Sequence, residues 1–356
     1  MSRLFVTPAL TGALLFALTA SPESFREPLL AQLKQYVSTT NIARAITALK
    51  WLLAIGLVSD AHAWLSEFAQ NNFRLQSEKH RYDWPKEIAV VTGGTGGFGS
   101  LMCKELAEKG VNIMCIDIRD DLPPDMKNNP KIHYFKCDVT NRQAVADMAQ
   151  QIRQRHGNPS ILINNAGISG DGSMFDQTQD SLEKIFKLNV ISHYYTVQEF
   201  LPAMAKAKKG HVVTIASVAS FVSPPGLVPY ANTKVAALSF HEGIQHETRI
   251  FHDAPEIKFT VVHPTFAATP MAAPFMDDLA AAKAKVIKPT MVSNAVVKQV
   301  LSGRGKQLII APGTHPVVYL RSLPYWLSNL GLKIADRPMK KQLMIMQEKR
   351  NALRKQ

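Results

Sequence analysis

From residue 86 to about residue 310 the chain alternates short apolar runs with longer stretches whose apolar residues recur at helical spacing. Apolar runs at 88–91, 111–116, 132–137, 161–163, 212–216 and 308–310, with one more ending at Pro264, predict strands. The stretches between them predict helices. Phe98, Leu101, Met102 and Leu106 share one helical face closed by Gly110, and Tyr230 opens a helix that continues through Leu238 and Ile244. Strands joined by helices build a parallel sheet with helices on its faces, so the expected class is α/β, a single doubly wound parallel sheet of about seven strands.

Outside this block the pattern changes. Residues 4–22 carry no charge, and helical residues at about 1.5 Å each would nearly cross a hydrocarbon core of roughly 30 Å over that length. Pro8, Gly12 and Thr7, Thr11 and Thr19 make it a poor span, which leaves a membrane span and a buried or interfacial helix both open. A cleaved leader fits less well, because Arg3 is the whole of its basic region and no small-x-small site precedes Ser21. Residues 45–65 are apolar again, with Trp51 and Trp64 near the ends and Lys50 and Asp60 interrupting. That is the pattern of a helix lying in an interface or packed on the following domain. A polar linker over 71–84 ends at Pro85 and places a domain boundary near residue 85. The expected organisation is a hydrophobic helical extension and linker over 1–85, a catalytic domain over 86–315 and a tail over 316–356.

Composition narrows the class. Of 356 residues, 46% are hydrophobic and 19% charged, which excludes a disordered or fibrous chain. The net charge of +13 divides into +2 over residues 1–80, +2 over 81–300 and +9 over 301–356, so the basicity belongs to the tail. No zinc-finger, RNP or helix-turn-helix pattern accompanies it, and nucleic acid is not an expected partner. In the tail Leu323, Trp326, Leu327, Leu330 and Ile334 recur at helical spacing, and Lys333, Arg337, Lys340 and Lys341 follow. This reads as an interfacial amphipathic helix, or as a helix packed on its own domain with a solvated basic end. Cys103, Cys115 and Cys137 form no CxxC pair, which excludes a disulfide scaffold and a four-cysteine zinc site and fits a reduced compartment. No metal-ligand constellation and no internal repeat is visible in the sequence.

Two clusters carry candidate chemistry. After the first strand comes Thr92-Gly93-Gly94-Thr95-Gly96-Gly97-Phe98-Gly99, then a helix. A backbone that turns sharply and approaches a pyrophosphate needs glycine, and a helix N-terminus offers free N–H groups and partial positive charge. The second strand ends at Asp117, where a carboxylate accepts from ribose hydroxyls and repels a 2′-phosphate, which argues for NAD over NADP; Arg119 weakens that argument. The third strand ends at Asp138, placed to touch an adenine. Further on, Tyr230 and Lys234 stand at i and i+4 on one helical face, where an ammonium can favour the phenolate. Ser217 closes a strand thirteen residues earlier, Asn164-Asn165-Ala166-Gly167 follows another, and Asn189 lies in a helix between them.

This set resembles the short-chain dehydrogenase/reductase family: TGxxxGxG at 92–99, NNAG at 164–167, Asn189, Ser217 and YxxxK at 230–234, over roughly residues 86–312. The resemblance implies a Rossmann-type fold and an NAD(P)-dependent oxidoreductase acting on CH–OH groups. It implies that Tyr230 is the general acid/base, Lys234 lowers its pKa and holds the nicotinamide ribose, Ser217 orients the substrate oxygen and Asn189 supports a proton-relay water. For the cofactor it implies Gly93, Gly97, Phe98, Gly99, Asp117, Asp138, Asn165, Tyr230, Lys234 and Thr269, the last meeting the nicotinamide carboxamide. The family's proline-glycine after the sixth strand is Pro264-Thr265 here. The hydrophobic extension is similar to that of membrane-associated retinol and hydroxysteroid dehydrogenases, especially fungal ones.

After Thr269 the chain reads Pro270-Met271-Ala272-Ala273-Pro274-Phe275-Met276, and after Ser217 it has Phe221, Val222, Pro224 and Pro225. These suit an apolar ligand, or equally a packed loop or dimer contact. The expected function is hydride transfer between NAD, or alternatively NADP, and a lipophilic secondary alcohol or ketone such as a sterol or retinoid. The enzyme would sit on the endoplasmic reticulum or a lipid droplet, face the cytosol and, as the resemblance implies, pair as a homodimer. Two rival readings are an NADPH-dependent ketoreductase of secondary metabolism and a non-catalytic nucleotide-binding scaffold on a lipid surface. His263, beside Pro264, is expected to be a packed histidine rather than a second base.

Overall fold

The computed structural model describes residues 7–170, 172–281, 284–312, 316–334 and 344. The chain divides into two compact units between Phe73 and Arg74. The first holds α1 (Pro8–Thr19), α2 (Glu23–Lys34) and α3 (Thr39–Gln70). The uncharged stretch at 4–22 therefore yields a described helix of only twelve residues. It ends before Pro22, because a residue preceding proline is pushed out of the helical region. The longer element is α3, whose 32 residues run well past the apolar 45–65 stretch at both ends and reach about 48 Å. Among the described residues it is the one helix long and apolar enough to cross a membrane, as judged by length and composition. Small residues let α1 pack on it, with Gly12 against Leu53 and with Thr11 and Gly56 buried. Trp51, Ile55, Val58, Trp64 and Leu65 stay exposed.

The second unit is one sheet of seven parallel strands: β1 (Ile88–Thr92), β2 (Asn112–Asp117), β3 (Ile132–Lys136), β4 (Ile161–Asn164), β5 (His211–Ile215), β6 (Lys258–Pro264) and β7 (Lys306–Ile310). Their order is β3-β2-β1-β4-β5-β6-β7. Every residue of β1, β5 and β6 is buried, because both faces of the sheet are covered. The helices are α4 (Gly97–Glu108), α5 (Pro124–Lys127), α6 (Arg142–Arg155), α7 (Gln179–Phe186), α8 (Ser192–Ala207), α9 (Val228–Ile250), α10 (Met276–Ala281) and α11 (Pro289–Leu301). The period of two in β1 decides which faces they cover: Ala89 and Val91 pack with Met102 and Leu106 of α4 and Val292 and Val296 of α11. Val90 points the other way, into the cluster of Met148 of α6, Phe200 of α8 and Phe240 of α9. Strand order reverses between β1 and β4, and the carboxyl ends there open a crevice.

The polar stretch expected as linker belongs to this second unit from Arg74 onward, so the division falls earlier than the boundary near residue 85. Glu78 is buried there and meets Arg74 at 3.2 Å, Arg81 at 3.6 Å and Lys258 at 3.8 Å. Its N–H donates to the Gly303 carbonyl at 3.1 Å, and the Ser77 hydroxyl donates to that of Ser302. A polar sequence reads as solvated when its partners are distant in the chain; here they lie on β6 and after α11.

Candidate active site

The glycine loop is held by hydrogen bonds from across the crevice. Asn165 donates from its side-chain amide to the carbonyls of Thr92 at 2.9 Å and Gly93 at 3.1 Å, and the Thr92 hydroxyl receives the N–H groups of Asn165 and Ala166 at 3.0 Å. Gly93 has φ +62°, a left-handed turn that a side chain would strain. At Gly99 a Cβ would fall 2.1 Å from the Gly93 carbonyl oxygen, so the first turn of α4 lies against the loop only because no side chain intervenes. Gly96 caps α4 without a side-chain acceptor, leaving its first N–H groups facing the cavity beside Gly97 and Phe98. These residues fit a dinucleotide pyrophosphate: a cradle that any Cβ would fill, at a helix N-terminus. Gly99→Ala is expected to cost about 1–3 kcal/mol in fold stability or loop placement and to weaken NADH binding on the order of tenfold or more. Fluorescence titration and thermal melting of the full chain would measure both.

Asp117 closes β2 with its carboxylate turned toward the loop. Oδ2 accepts from the Thr95 N–H at 3.0 Å and hydroxyl at 2.7 Å; Oδ1 accepts from the N–H groups of Ile118 and Arg119. The Arg119 guanidinium comes within 3.5 Å of where a Gly96 Cβ would stand, and both residues line the cavity. Asp138 also lines it, with Oδ1 receiving the N–H and hydroxyl of Thr140. Thr269 faces the loop from the opposite wall, its methyl 3.8 Å from the Cβ position of Gly97.

At the other end of the cavity Tyr230, Lys234 and Ser217 come together. Ser217 follows β5 and accepts the Ala219 N–H at 3.1 Å, while its own hydroxyl reaches the Pro264 carbonyl at 3.4 Å. Burial raises the Tyr230 pKa, and a hydrogen bond from Ser217, which favours the phenolate, opposes that rise. Lys234 is buried, with Nζ 5.5 Å from the Tyr230 ring centre and donating to the Ile215 carbonyl at 2.9 Å. Burial draws its pKa down to about 8. Asn189 sits in a π-helical turn, Lys187–Ile191, a local widening common at functional sites. Its amide is fully engaged, accepting from the Ile168 N–H at 2.9 Å and donating to the Ile168 carbonyl and the Thr233 hydroxyl.

His263 is a packed residue, as expected: buried, hydrogen-bonded to the Ser217 carbonyl and to Gln307, and with its pKa drawn down to about 4 by burial. Phe221 tilts over it at 4.7 Å, whereas Val222, Pro224 and Pro225 line the cavity with Met271. Sequence reasoning missed Thr95, whose only signal is its place between two glycine pairs. The three cysteines are free and buried.

The sheet order, the glycine cradle and the tyrosine-lysine pair define an NAD(P)-dependent oxidoreductase acting on CH–OH groups, and residues 87–280 match the family model for short chain dehydrogenases. The chain belongs to that family. It is 36% identical over 264 residues to Dehydrogenase RED2 of Cochliobolus heterostrophus, covering 74% of this chain and 95% of that protein. It is 30% identical over 264 residues to human Estradiol 17-beta-dehydrogenase 11, covering 73% and 85% respectively. Among solved structures, ligand-free aldohexose dehydrogenase of Thermoplasma acidophilum has the same fold, at a TM-score of 0.55 and 20% identity, over 66% of this chain and 98% of that one.

Proposed function

We propose that this enzyme interconverts a lipophilic secondary alcohol and its ketone, with NAD as the preferred cofactor, at a membrane or lipid-droplet surface on the cytosolic side. The observation that carries this reading is the cavity. It has a volume of about 2230 Å³ and runs without a break from the glycine loop past Tyr230 to Met174, Val222, Pro225, Leu227 and Met271. Ligand pockets usually span roughly 300–1,000 Å³, so a dinucleotide leaves room for a long apolar substrate. The relative named for estradiol supports the substrate class, and α3 supports the membrane.

A nicotinamide dinucleotide, when bound, supplies the hydride donor or acceptor. Gly93, Gly97, Phe98 and Gly99 would hold its pyrophosphate, Asp117 and Asp138 its adenosine half, and Lys234 and Thr269 its nicotinamide half, with Asn165 fixing the loop. Tyr230 would exchange a proton with the substrate oxygen at its Oη, and Ser217 would orient that oxygen. Asn189 fixes the main chain at Ile168 and the helix at Thr233, which positions Tyr230 and Lys234.

Arg119 favours a second reading, NADPH-dependent ketone reduction, since a guanidinium beside Gly96 suits a 2′-phosphate. NADH and NADPH dissociation constants, with initial rates across secondary alcohols of rising hydrophobicity, test both. We expect NAD to be preferred and rates to rise with hydrophobicity. Asp117→Ala should shift the affinity ratio toward NADPH on the order of tenfold, and Arg119→Ala should shift it the opposite way. Preference of the unaltered protein for NADPH would establish the reductase reading instead, and activity confined to small polar alcohols would remove the lipophilic one.

A further inference from the structure

Residues 316–334 wall the substrate end of the cavity. A 3₁₀ helix, Pro316–Ser322, is followed by a helix over 325–334 that folds back so that Gly331 lies against Leu320. One side of this hairpin, with Val317, Leu320 and Leu332, lines the same cavity as Ser217 and Tyr230. The other side is apolar and uncovered: Trp326 is 68% exposed, Leu330 48% and Ile334 59%, and Tyr325 at the start of the helix is 83% exposed. A hydrogen bond from Arg321 Nε to the Phe221 carbonyl, 3.2 Å, ties the hairpin to the loop that follows Ser217.

We propose that residues 316–334 are a lid that docks on an anionic lipid surface, and that docking opens the substrate end of the cavity toward the lipid. Its occupant is fixed by charge and by ring chemistry. Residues 301–356 carry eleven basic against two acidic side chains, and exposed Trp and Tyr settle at the level of lipid headgroups. Ten helical residues reach only about 15 Å, so the helix lies in the interface rather than crossing it. Opening in water would expose the apolar inner side of the hairpin together with the cavity wall. On a lipid surface the same movement exposes them to acyl chains, so the lid stays shut in water and opens where a lipophilic alcohol is dissolved. This mechanism rests on the proposed substrate class.

The test uses the full chain in phosphatidylcholine vesicles with and without phosphatidylserine. It reads amide hydrogen exchange over 316–334 and the KM for a secondary dodecanol. With phosphatidylserine, exchange should slow about tenfold and KM should fall by a similar factor. The Tyr325→Ser, Trp326→Ser double variant should lose both differences, with its NADH dissociation constant serving as the check on folding. Exchange indifferent to lipid charge overturns the docking, and a double variant that loses the slowing but keeps the fall in KM overturns the gate. The exchange arm is independent of turnover: slowing without turnover of any alcohol supports the docked lid and removes the substrate reading, whereas dodecanol turnover without slowing does the reverse.

Discussion

Replacing Tyr230 with phenylalanine is expected to lower kcat on the order of a thousandfold, the range of a positioned proton donor or acceptor, while NADH affinity stays within about a factor of three. The ring keeps its place on α9 beside Lys234, and only the oxygen that meets Ser217 is lost. No neighbouring group can substitute. His263 is the nearest imidazole to Ser217, yet it is buried, engaged at both nitrogens and drawn down to a pKa of about 4. Lys234 directs its ammonium to the Ile215 carbonyl. Single-turnover rates and NADH titration of the two proteins decide the point. Loss of less than tenfold in kcat would remove Tyr230 from the proton's path.

Acid is expected to unfold the catalytic unit early. His193, His211 and His241 are fully buried and held neutral, with pKa values near 3, and His263 near 4. Burial is the main cause in each; Lys234 adds to it at His193, Lys258 at His211, and the other imidazoles at His241. The sign follows from which state binds protons. In the unfolded chain these imidazoles titrate near 6.5, and in the folded one near 3 to 4, so the unfolded state binds more protons between those limits. Stability is therefore lost as pH falls below about 6.5, at roughly 2 kcal/mol per histidine by pH 5. Together the four should lower the melting temperature on the order of 20 °C between pH 7.5 and pH 5. His241→Gln, which keeps a partner for the Thr214 hydroxyl, should remove about a quarter of that drop. Melting temperatures across the pH range measure it, and a drop of only a few degrees would mean that the native state protonates these rings.

Legibility in the sequence followed the range of the forces involved. The strands were legible because burial on both faces requires apolar runs, and the glycine loop because Gly93 and Gly99 exclude side chains by local geometry. Tyr230 and Lys234 were legible because four residues make one helical turn. The strap at Arg74–Lys86 was not, since Glu78 is polar in sequence and its partners Lys258 and Gly303 are far along the chain. Nor was the end of the first apolar stretch, which a proline stops, or the full length of α3, which polar residues at its ends conceal.

The sequence by itself determined the class of fold, the glycine loop that opens α4 and the pairing of Tyr230 with Lys234 on one helical face, because each rests on spacing within a few residues or on steric exclusion at one position. The tertiary structure alone decided what faces these groups. It turned the Asp117 carboxylate onto Thr95, engaged the Asn189 amide with Ile168 and Thr233, and set the Ser217 hydroxyl against the Tyr230 phenol. It also brought Leu320 and Leu332 over a cavity that begins more than two hundred residues earlier in the chain. Hydrogen bonding and desolvation depend on the neighbours a fold supplies, and no local pattern encodes them.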